Sequence, residues 1–201
     1  MKKRLAGILA SGLIAMMAAG CSSEPAKPVP VETPKAAPEA LTGNSAFFKC
    51  YIAARNWAPD AQPFRADSAA GTDSTGHDGK MAEWRAGFAS PKLRSTKFFT
   101  WSNGDISHGV DDTYSPANSS TQIFNVQFLK TDSDKAFAVA QEHGGVKLLE
   151  QEPKTPVFYI LEWNHLTNEL LWHVIYGTDR ETAKLRVAVN ASTGEFSRVE
   201  K

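Results

Sequence analysis

The stretches LWHVIYG, residues 171–177, and LRVAVNASTGEF, residues 185–196, decide the fold. Apolar side chains occupy every second position of the first stretch, at Trp172, Val174 and Tyr176, in phase with Leu170 just before it. The second stretch repeats the pattern, at Leu185, Val187 and Val189. An alternation of period two puts one set of side chains on one face of a strand. The two stretches therefore predict a pair of antiparallel strands that share one buried face.

A helix and a further strand are predicted to precede this pair. The helix is expected to begin in the acidic and hydroxyl cluster 131–134, whose side chains can cap exposed amide groups, and to stop at Gly144 and Gly145. The apolar run Val157–Trp163 predicts the strand that follows. After the pair, the turn Ala191–Gly194 leads into a short terminal segment, Glu195–Lys201.

The first half of the domain has a similar set of elements. Apolar residues at three-and-four spacing predict a helix over Ser45–Trp57, which Pro59 ends. A second short helical turn is predicted around Asp60–Ala66, followed by a loop over Ser68–Lys80. Alternation then predicts three strands, over Trp84–Phe88, over Arg94–Trp101, and over Phe124–Phe128 with an end near Lys130.

The two halves are predicted to be an internal repeat. Each has a helix and then an antiparallel pair that opens with a tryptophan, Trp84 in the first half and Trp172 in the second. A lysine follows that tryptophan thirteen residues later at Lys97 and twelve residues later at Lys184. The repeat divides the domain into a first unit, 43–130, and a second unit, 131–201.

The second unit resembles the PepSY module. In that family a strand with a leading Trp, a hairpin and a second strand end in a turn similar to DASTG. Here Asn190 stands where the family commonly has Asp. The resemblance covers about residues 133–201. It implies an α+β fold with cystatin-like units, each a helix packed across a curved antiparallel sheet. It also implies an envelope protein that binds a protein or peptide and restrains a secreted peptidase.

The first unit resembles an uncharacterised group of exported bacterial proteins that pair two such modules. The stretches ARNWAPDA, residues 54–61, and EWRAGFASP, residues 83–91, carry this resemblance. It implies that both units of this chain belong to one tandem arrangement.

The amino-terminal residues predict export. Basic residues at positions 2–4 precede a short apolar run, Leu5–Ala19, which is typical of a secretory signal. The sequence Ala18-Ala19-Gly20-Cys21 resembles the lipobox of bacterial lipoproteins, although the family usually has Leu where Ala18 stands. The resemblance implies cleavage of residues 1–20 and lipidation of Cys21. Ser22 after the cysteine favours the outer membrane, facing the periplasm.

Residues 21–42 are expected to be the lipidated cysteine and a tether. The segment contains five prolines and little apolar surface to bury, so it is predicted to be extended. Three of the 22 Lys and Arg lie in the signal and none of the 22 Asp and Glu do, which leaves the mature protein a net charge of about −3 with His neutral. No basic patch is visible, so nucleic acid is not an expected partner.

Residues that carry chemistry are present but form no recognisable catalytic set. None of the five histidines has a partner at metal-ligand spacing, and no GxSxG turn frames a serine. His77 lies in a loop with Asp73 and Asp78, which either holds a cation or is simply solvated. Cys50 is either a reactive thiol or, on the preferred interpretation, a small buried residue. We therefore expect that the protein has no catalytic residues, binds no metal or cofactor and is not an enzyme.

Aromatic residues are concentrated on the predicted strands. They either fill the core or leave an exposed face on the sheet that suits peptide or protein recognition. The strand positions out of phase with the predicted core are the candidate binding residues, Phe98, His173, Ile175 and Arg186.

Three functions remain open on the sequence. The leading hypothesis is a membrane-anchored, periplasm-facing lipoprotein that binds a protein or peptide and restrains a peptidase. The second is a small-ligand-binding or enzymatic cone-shaped α+β domain, which a polar pocket between helix and sheet would favour. The third is a structural envelope protein. A filled apolar core would favour the first hypothesis over the second.

Overall fold

Two antiparallel meanders join through their first strands and form one continuous sheet. The computed structural model describes residues 39–69 and 74–200. The predicted signal, the lipidated Cys21 and the tether up to residue 38 lie outside the described residues. Leu41 and Thr42, the last residues of the predicted tether, are paired with Met81 and Lys80.

The elements of the first half are one helix and several strands. They are β1 (Leu41–Thr42), α1 (Gly43–Trp57), β2 (Gln62–Ser68), β3 (Lys80–Met81), β4 (Glu83–Ser90), β5 (Ser95–Ser102), β6 (Asp105–His108) and β7 (Asp112–Thr113). The second half contains α2 (Ser133–Ala140), α3 (Val146–Gln151), β8 (Val157–Asn164), β9 (Glu169–Tyr176), β10 (Leu185–Asn190) and β11 (Phe196–Glu200).

The order of strands in the large sheet is β11-β10-β9-β8-β2-β4-β5-β6. Within each half, neighbouring strands follow one another along the chain, with two exceptions. The short β3 pairs with β1, and the short β7 pairs with β5. The two halves meet where β2 pairs antiparallel with β8, with Arg65 opposite Glu162. The fold is thus a mixed α+β fold built on an antiparallel sheet with few helices, and that part of the prediction is confirmed. The description of each half as cystatin-like remains a prediction.

All three helices pack on one face of the sheet, and the space between helices and sheet is filled. The main core contains residues of both halves, among them Cys50 and Phe47 of α1, Ala136 of α2 and Val187 of β10. Its largest side chains, each less than 2% exposed, include Trp84, Trp101, Trp172, Tyr159 and Tyr176. The alternation predicted for β9 and β10 is confirmed, because its apolar set lies in this core.

Two tryptophans of the sheet form hydrogen bonds to the chain just before α1 and just before α2. The indole N–H of Trp84 donates to the carbonyl of Leu41 at 2.9 Å, and that of Trp172 donates to the carbonyl of Thr131 at 2.8 Å. Each carbonyl belongs to the residue two positions before the first residue of its helix. The two indoles meet edge to face, with ring centroids 6.0 Å apart. The same bond therefore recurs at the same place in both halves.

The amino-terminal ends of α1 and α2 also meet at this point. The backbone N–H of Gly43 donates to Ser133 Oγ at 2.7 Å, and that of Asn44 donates to Asp132 Oδ1 at 2.8 Å. Residues from the start of α2 therefore satisfy amide groups that α1 leaves unpaired. A Cβ on Gly43 would lie 2.5 Å from Trp172 Cη2, so only glycine fits where the helix approaches the indole.

Several local predictions were wrong. The segment predicted as a helical turn, 60–66, instead belongs largely to strand β2. The predicted strand over Phe124–Phe128 is replaced by a 3₁₀ turn at Val126–Phe128. The helix expected to stop at Gly144 and Gly145 bends there, since Gly144 has a φ of 115°, and continues as α3. The terminal segment, for which no element was predicted, contains a strand, β11.

We expect Trp172→Phe to lower the free energy of unfolding by about 2–4 kcal/mol, because it removes a buried ring and leaves the Thr131 carbonyl without its donor. Urea unfolding followed by circular dichroism measures the change. Trp163→Phe is the matched control, since Trp163 is only half-buried and packs on Phe128. Equal losses in the two variants would contradict the role of the Trp172 indole.

Candidate functional site

The face of the sheet opposite the helices carries most of the charged strand residues. On β4, Trp84 points into the main core, so Arg85 points to the other face. A β-bulge between Pro63 and Arg65 places both Phe64 and Arg65 on this face. We call it the helix-free face.

Two connecting segments cover parts of the helix-free face. Tyr114 and Ile123, from the connection after β7, pack on Phe64 and Phe98. At the other half, the β9–β10 connection, Gly177–Lys184, folds back so that its Ala183 packs near Ile175. We call this connection the strap.

An arginine fixes the strap to the sheet. The guanidinium of Arg180 donates to Glu162 Oε1 at 2.7 Å and lies 3.8 Å from Glu200 Oε2. From strand β10, Arg186 Nη1 donates to the backbone carbonyl of Arg180 at 2.9 Å. Within the strap, Asp179 accepts from the backbone N–H of Thr182 at 2.8 Å. The strap therefore has a defined conformation that depends on its charged partners.

Charged residues of seven segments form one network on this face. We call it the charge cluster, and its members are Arg65, Asp67, Arg85, Glu162, His173, Arg180, Arg186, Arg198 and Glu200. Five arginines stand against three carboxylates, so the arginines of the cluster exceed its carboxylates by two. The full chain has equal numbers of basic and acidic residues, so this face is more positive than the chain as a whole.

At the centre of the cluster, His173 is buried between two carboxylates. Its ring is 3% exposed, with Nδ1 at 2.9 Å from Glu200 Oε2 and Nε2 at 3.4 Å from Glu162 Oε1. Burial raises the pKa of Glu200, but the hydrogen bond and charge of His173, with the charges of Arg180 and Arg198, outweigh it and bring the pKa to about 2. Burial likewise raises the pKa of Glu162, yet His173 and the neighbouring arginines hold it below its ordinary value. Both carboxylates are thus charged at neutral pH.

Two depressions flank this centre. One, of about 350 Å³, is lined by Arg180, Arg186, Arg198, Val199 and Glu200, and we call it the arginine pocket. The other, of about 240 Å³, lies at the joint of the two halves and includes Arg65, Gln122, Glu162 and Trp163 among its lining residues. Both open on the helix-free face, where they offer charged and polar groups.

All four residues predicted for binding lie on the helix-free face, but they differ in their exposure to solvent. Phe98 is partly exposed and packs edge to face on Phe64, with the Arg85 guanidinium 4.3 Å from its ring centre. Arg186 is partly exposed and lines the arginine pocket. His173 and Ile175 are buried. The structure therefore brings His173 and Arg186 together in the charge cluster and places Phe98 at the other half of the sheet.

The arginines and carboxylates around these residues were not predicted as site residues from the sequence. Arg198 and Glu200 are separated by two positions on β11, a pattern that would have placed them on one face had the terminal segment been predicted as a strand. Arg180 lies in a loop, and its contact with Glu162 has no signal in the sequence.

The other candidate residues have local structural partners. His77 Nε2 lies 2.8 Å from the Thr155 carbonyl, and Asp73 is outside the described residues. Over residues 39–69 and 74–200, no three His, Cys, Asp or Glu side chains are grouped so as to hold a metal ion. Cys50 is buried on α1, and burial raises the pKa of its thiol to about 12. A thiol with so high a pKa is a poor nucleophile at neutral pH.

In the part of the chain that the structure describes, no helix combines the length and the apolar character needed to cross a membrane.

Comparison with known proteins identifies a shared fold. A crystal structure of a protein from Clostridium difficile 630, described as a candidate lipoprotein, matches with a TM-score of 0.53, and the match covers 77% of this chain and 91% of that one. The two sequences are 10% identical, so the likeness shows the fold alone. No protein-family model matches the chain, and no curated protein does either.

The depressed pKa of Glu200 predicts a pH dependence of stability. Its contribution is fully present above about pH 4.5, the ordinary value, and is lost as the pH falls towards about 2, because the unfolded chain then binds the proton more readily. We expect Glu200→Gln to lose about 2–3 kcal/mol of unfolding free energy at pH 7, and the gap from the unmodified protein to narrow below pH 4.5.

Urea titrations at a series of pH values measure this gap. Glu195→Gln, at an exposed position in the turn before β11, is the control and should follow the unmodified protein throughout. A gap that stays constant from pH 6 to pH 2 would show that Glu200 is not held charged by its neighbours.

Proposed function

We propose that this protein is a lipoprotein, anchored to a membrane through Cys21 and facing the periplasm, that binds a protein or peptide on its helix-free face. The observation that carries the binding function is the charge cluster. It is a set of arginines in excess over carboxylates, held in fixed positions by mutual ion pairs and partly open to solvent. Such preorganised charges give specificity to a partner of complementary charge.

The proposed anchoring rests on the amino-terminal sequence. The short apolar run and the small residues before Cys21 support export and lipidation, and Ser22 supports the outer membrane. The structural neighbour is itself described as a candidate lipoprotein, which agrees with this proposal.

The proposed relation to PepSY modules is supported by the order of elements. In each half a helix is followed by an antiparallel meander, and a tryptophan of the second large-sheet strand holds the start of the helix. On this basis we propose that each half is a cystatin-like unit and that the partner is an envelope protein, with a peptidase as the natural class.

Binding on the surface is preferred over a ligand inside the fold because the interior is filled. Side chains of both halves close the space between the helix layer and the sheet, and the largest of them are almost completely buried. A polar pocket between helix and sheet was the feature that would have favoured a small-ligand or enzymatic domain.

One observation supports a second candidate function, the binding of a small ligand. A concavity of about 680 Å³ lies between the segment 152–156 and the strap, with Pro153, Pro156 and Gly177 among its lining residues. This volume suits a small ligand. The concavity lies at the surface, and Lys184 and Glu152, which form an ion pair, are among its lining residues.

Site-specific photo-crosslinking in the native envelope tests the proposed function. A photoreactive residue is placed on the helix-free face, at Glu83 or Glu181, and on the exposed side of the helix layer, at Lys49 or Lys147. We expect the first two positions to give one reproducible protein adduct, identified by mass spectrometry, because only they lie beside the charge cluster.

The two helix positions are the matched controls. Phe48 and Ile52 leave apolar surface exposed on α1, so the helix layer is the competing surface. An adduct formed from Lys49 or Lys147 alone would move the binding surface to the helices. Failure of all four positions to capture a protein would contradict a protein-binding function.

A further inference from the structure

Three arginines from three different segments meet in the arginine pocket. Arg180 comes from the strap, Arg186 from β10 and Arg198 from β11. The pairing of β10 with β11 sets Arg186 beside Glu200 and Ala188 beside Arg198, which brings both strand arginines to the same end of the sheet. The pocket is thus assembled by the fold, and each of its arginines is held by backbone that the sheet or the strap fixes.

The positive charge of this pocket is only partly neutralised. One carboxylate, Glu200, lines it, and this group is already shared by Arg198 at 3.0 Å, Arg180 at 3.8 Å and His173 at 2.9 Å. Among the described residues, Arg186 has no carboxylate within ion-pair distance, and its guanidinium donates to a backbone carbonyl instead. The pocket therefore has spare guanidinium donors and an excess of positive charge.

A free strand edge lies beside the pocket. Within residues 39–69 and 74–200, β11 is paired only with β10, so the backbone groups along its other side are available to a further strand. Val199, between Arg198 and Glu200 on the same strand, also lines the pocket. An extended polypeptide can use both features at once, because its backbone pairs with the edge while alternate side chains reach the sheet face.

We propose that the arginine pocket binds a carboxylate of an acidic, extended segment of a protein partner, which adds to the sheet along β11. This proposal rests on the proposed protein-binding function and specifies its site and the chemistry of the partner. The planar fork of Arg186 and that of Arg198 match the two oxygens of a carboxylate and donate to them in parallel. A peptide is preferred over a free oxyanion or a lipid headgroup because only a polypeptide also satisfies the edge of β11.

Fluorescence anisotropy with short labelled peptides tests this directly. The mature protein with Cys21→Ser is titrated with a peptide of alternating Thr and Glu, and with matched peptides in which Gln or Lys replaces Glu. We expect the acidic peptide to bind at least about tenfold more tightly than the neutral one, with the basic one weakest and with affinity falling as salt is raised. Equal binding of the acidic and neutral peptides would overturn the proposal.

Variants of the pocket locate the site. The double variant Arg186→Gln/Arg198→Gln is expected to lose about tenfold or more in affinity for the acidic peptide, and Arg186→Lys, which keeps the charge without the fork, a smaller part of that. Arg55→Gln, at an exposed position on α1, is the control and should bind as the unmodified protein does. Circular dichroism and the urea midpoint verify that each variant is folded. Unchanged affinity in a folded double variant, or in folded Arg186→Lys, would overturn the assignment.

Two further measurements separate the alternatives. Inorganic phosphate or vesicles containing phosphatidylglycerol that bind as tightly as the acidic peptide would overturn recognition of a peptide. If photo-crosslinking captures the same envelope protein with the unmodified chain and with the double variant, the proposed protein-binding function stands and the arginine pocket is not its site. A loss of that adduct in the double variant alone supports the proposal.

Discussion

The contact between the Trp84 and Trp172 indoles is the constraint on which the rest of the structure depends. Each indole donates to the chain just ahead of a helix, so the two bonds fix where both helices start. With the rings in contact, both helices must lie on the same face of one sheet, and their amino-terminal ends share capping groups. Large aromatic side chains fill the space between the helix layer and the sheet. The proposed surface for recognition is therefore the helix-free face.

The helix-free face is ordered by ion pairs in addition to the apolar packing under its two covering segments. A continuous set of ion pairs links β2, β8, β9, β11 and the strap, and its central members are partly or fully removed from water. Partly buried ions are stable only when each keeps its partners, and this requirement fixes the positions of the arginines before any ligand arrives. The same arrangement leaves donors unused at the end near β11. A surface whose charges hold one another in place, with an excess of one sign, is preorganised for an oppositely charged partner.

Much of the fold could be predicted from the sequence, because periodicity records which face of an element is buried. The alternation of β9 and β10 and the apolar stripe of α1 are local signals, and the core confirms them. The segment 60–66 was mistaken because Pro63 and the bulge break its alternation, and its identity as a strand depends on distant partners, β4 and β8. Phe124–Phe128 does alternate, yet Asn125 caps a 3₁₀ turn there. The candidate site was predicted only in part. The alternation of the strands correctly placed His173 and Arg186 on the face opposite the core. Arg180 reaches the site from a loop, and no local sequence pattern predicts the path of that loop.

The claim that recognition takes place on the helix-free face is tested most directly by hydrogen–deuterium exchange. The mature protein is measured alone and in complex with the envelope protein recovered by crosslinking, and the change in amide protection is mapped on the sequence. We expect increased protection in β11 and in the strap, with α1 and α2 unchanged. Protection that increases in the helices while β11 and the strap exchange as in the free protein would contradict it.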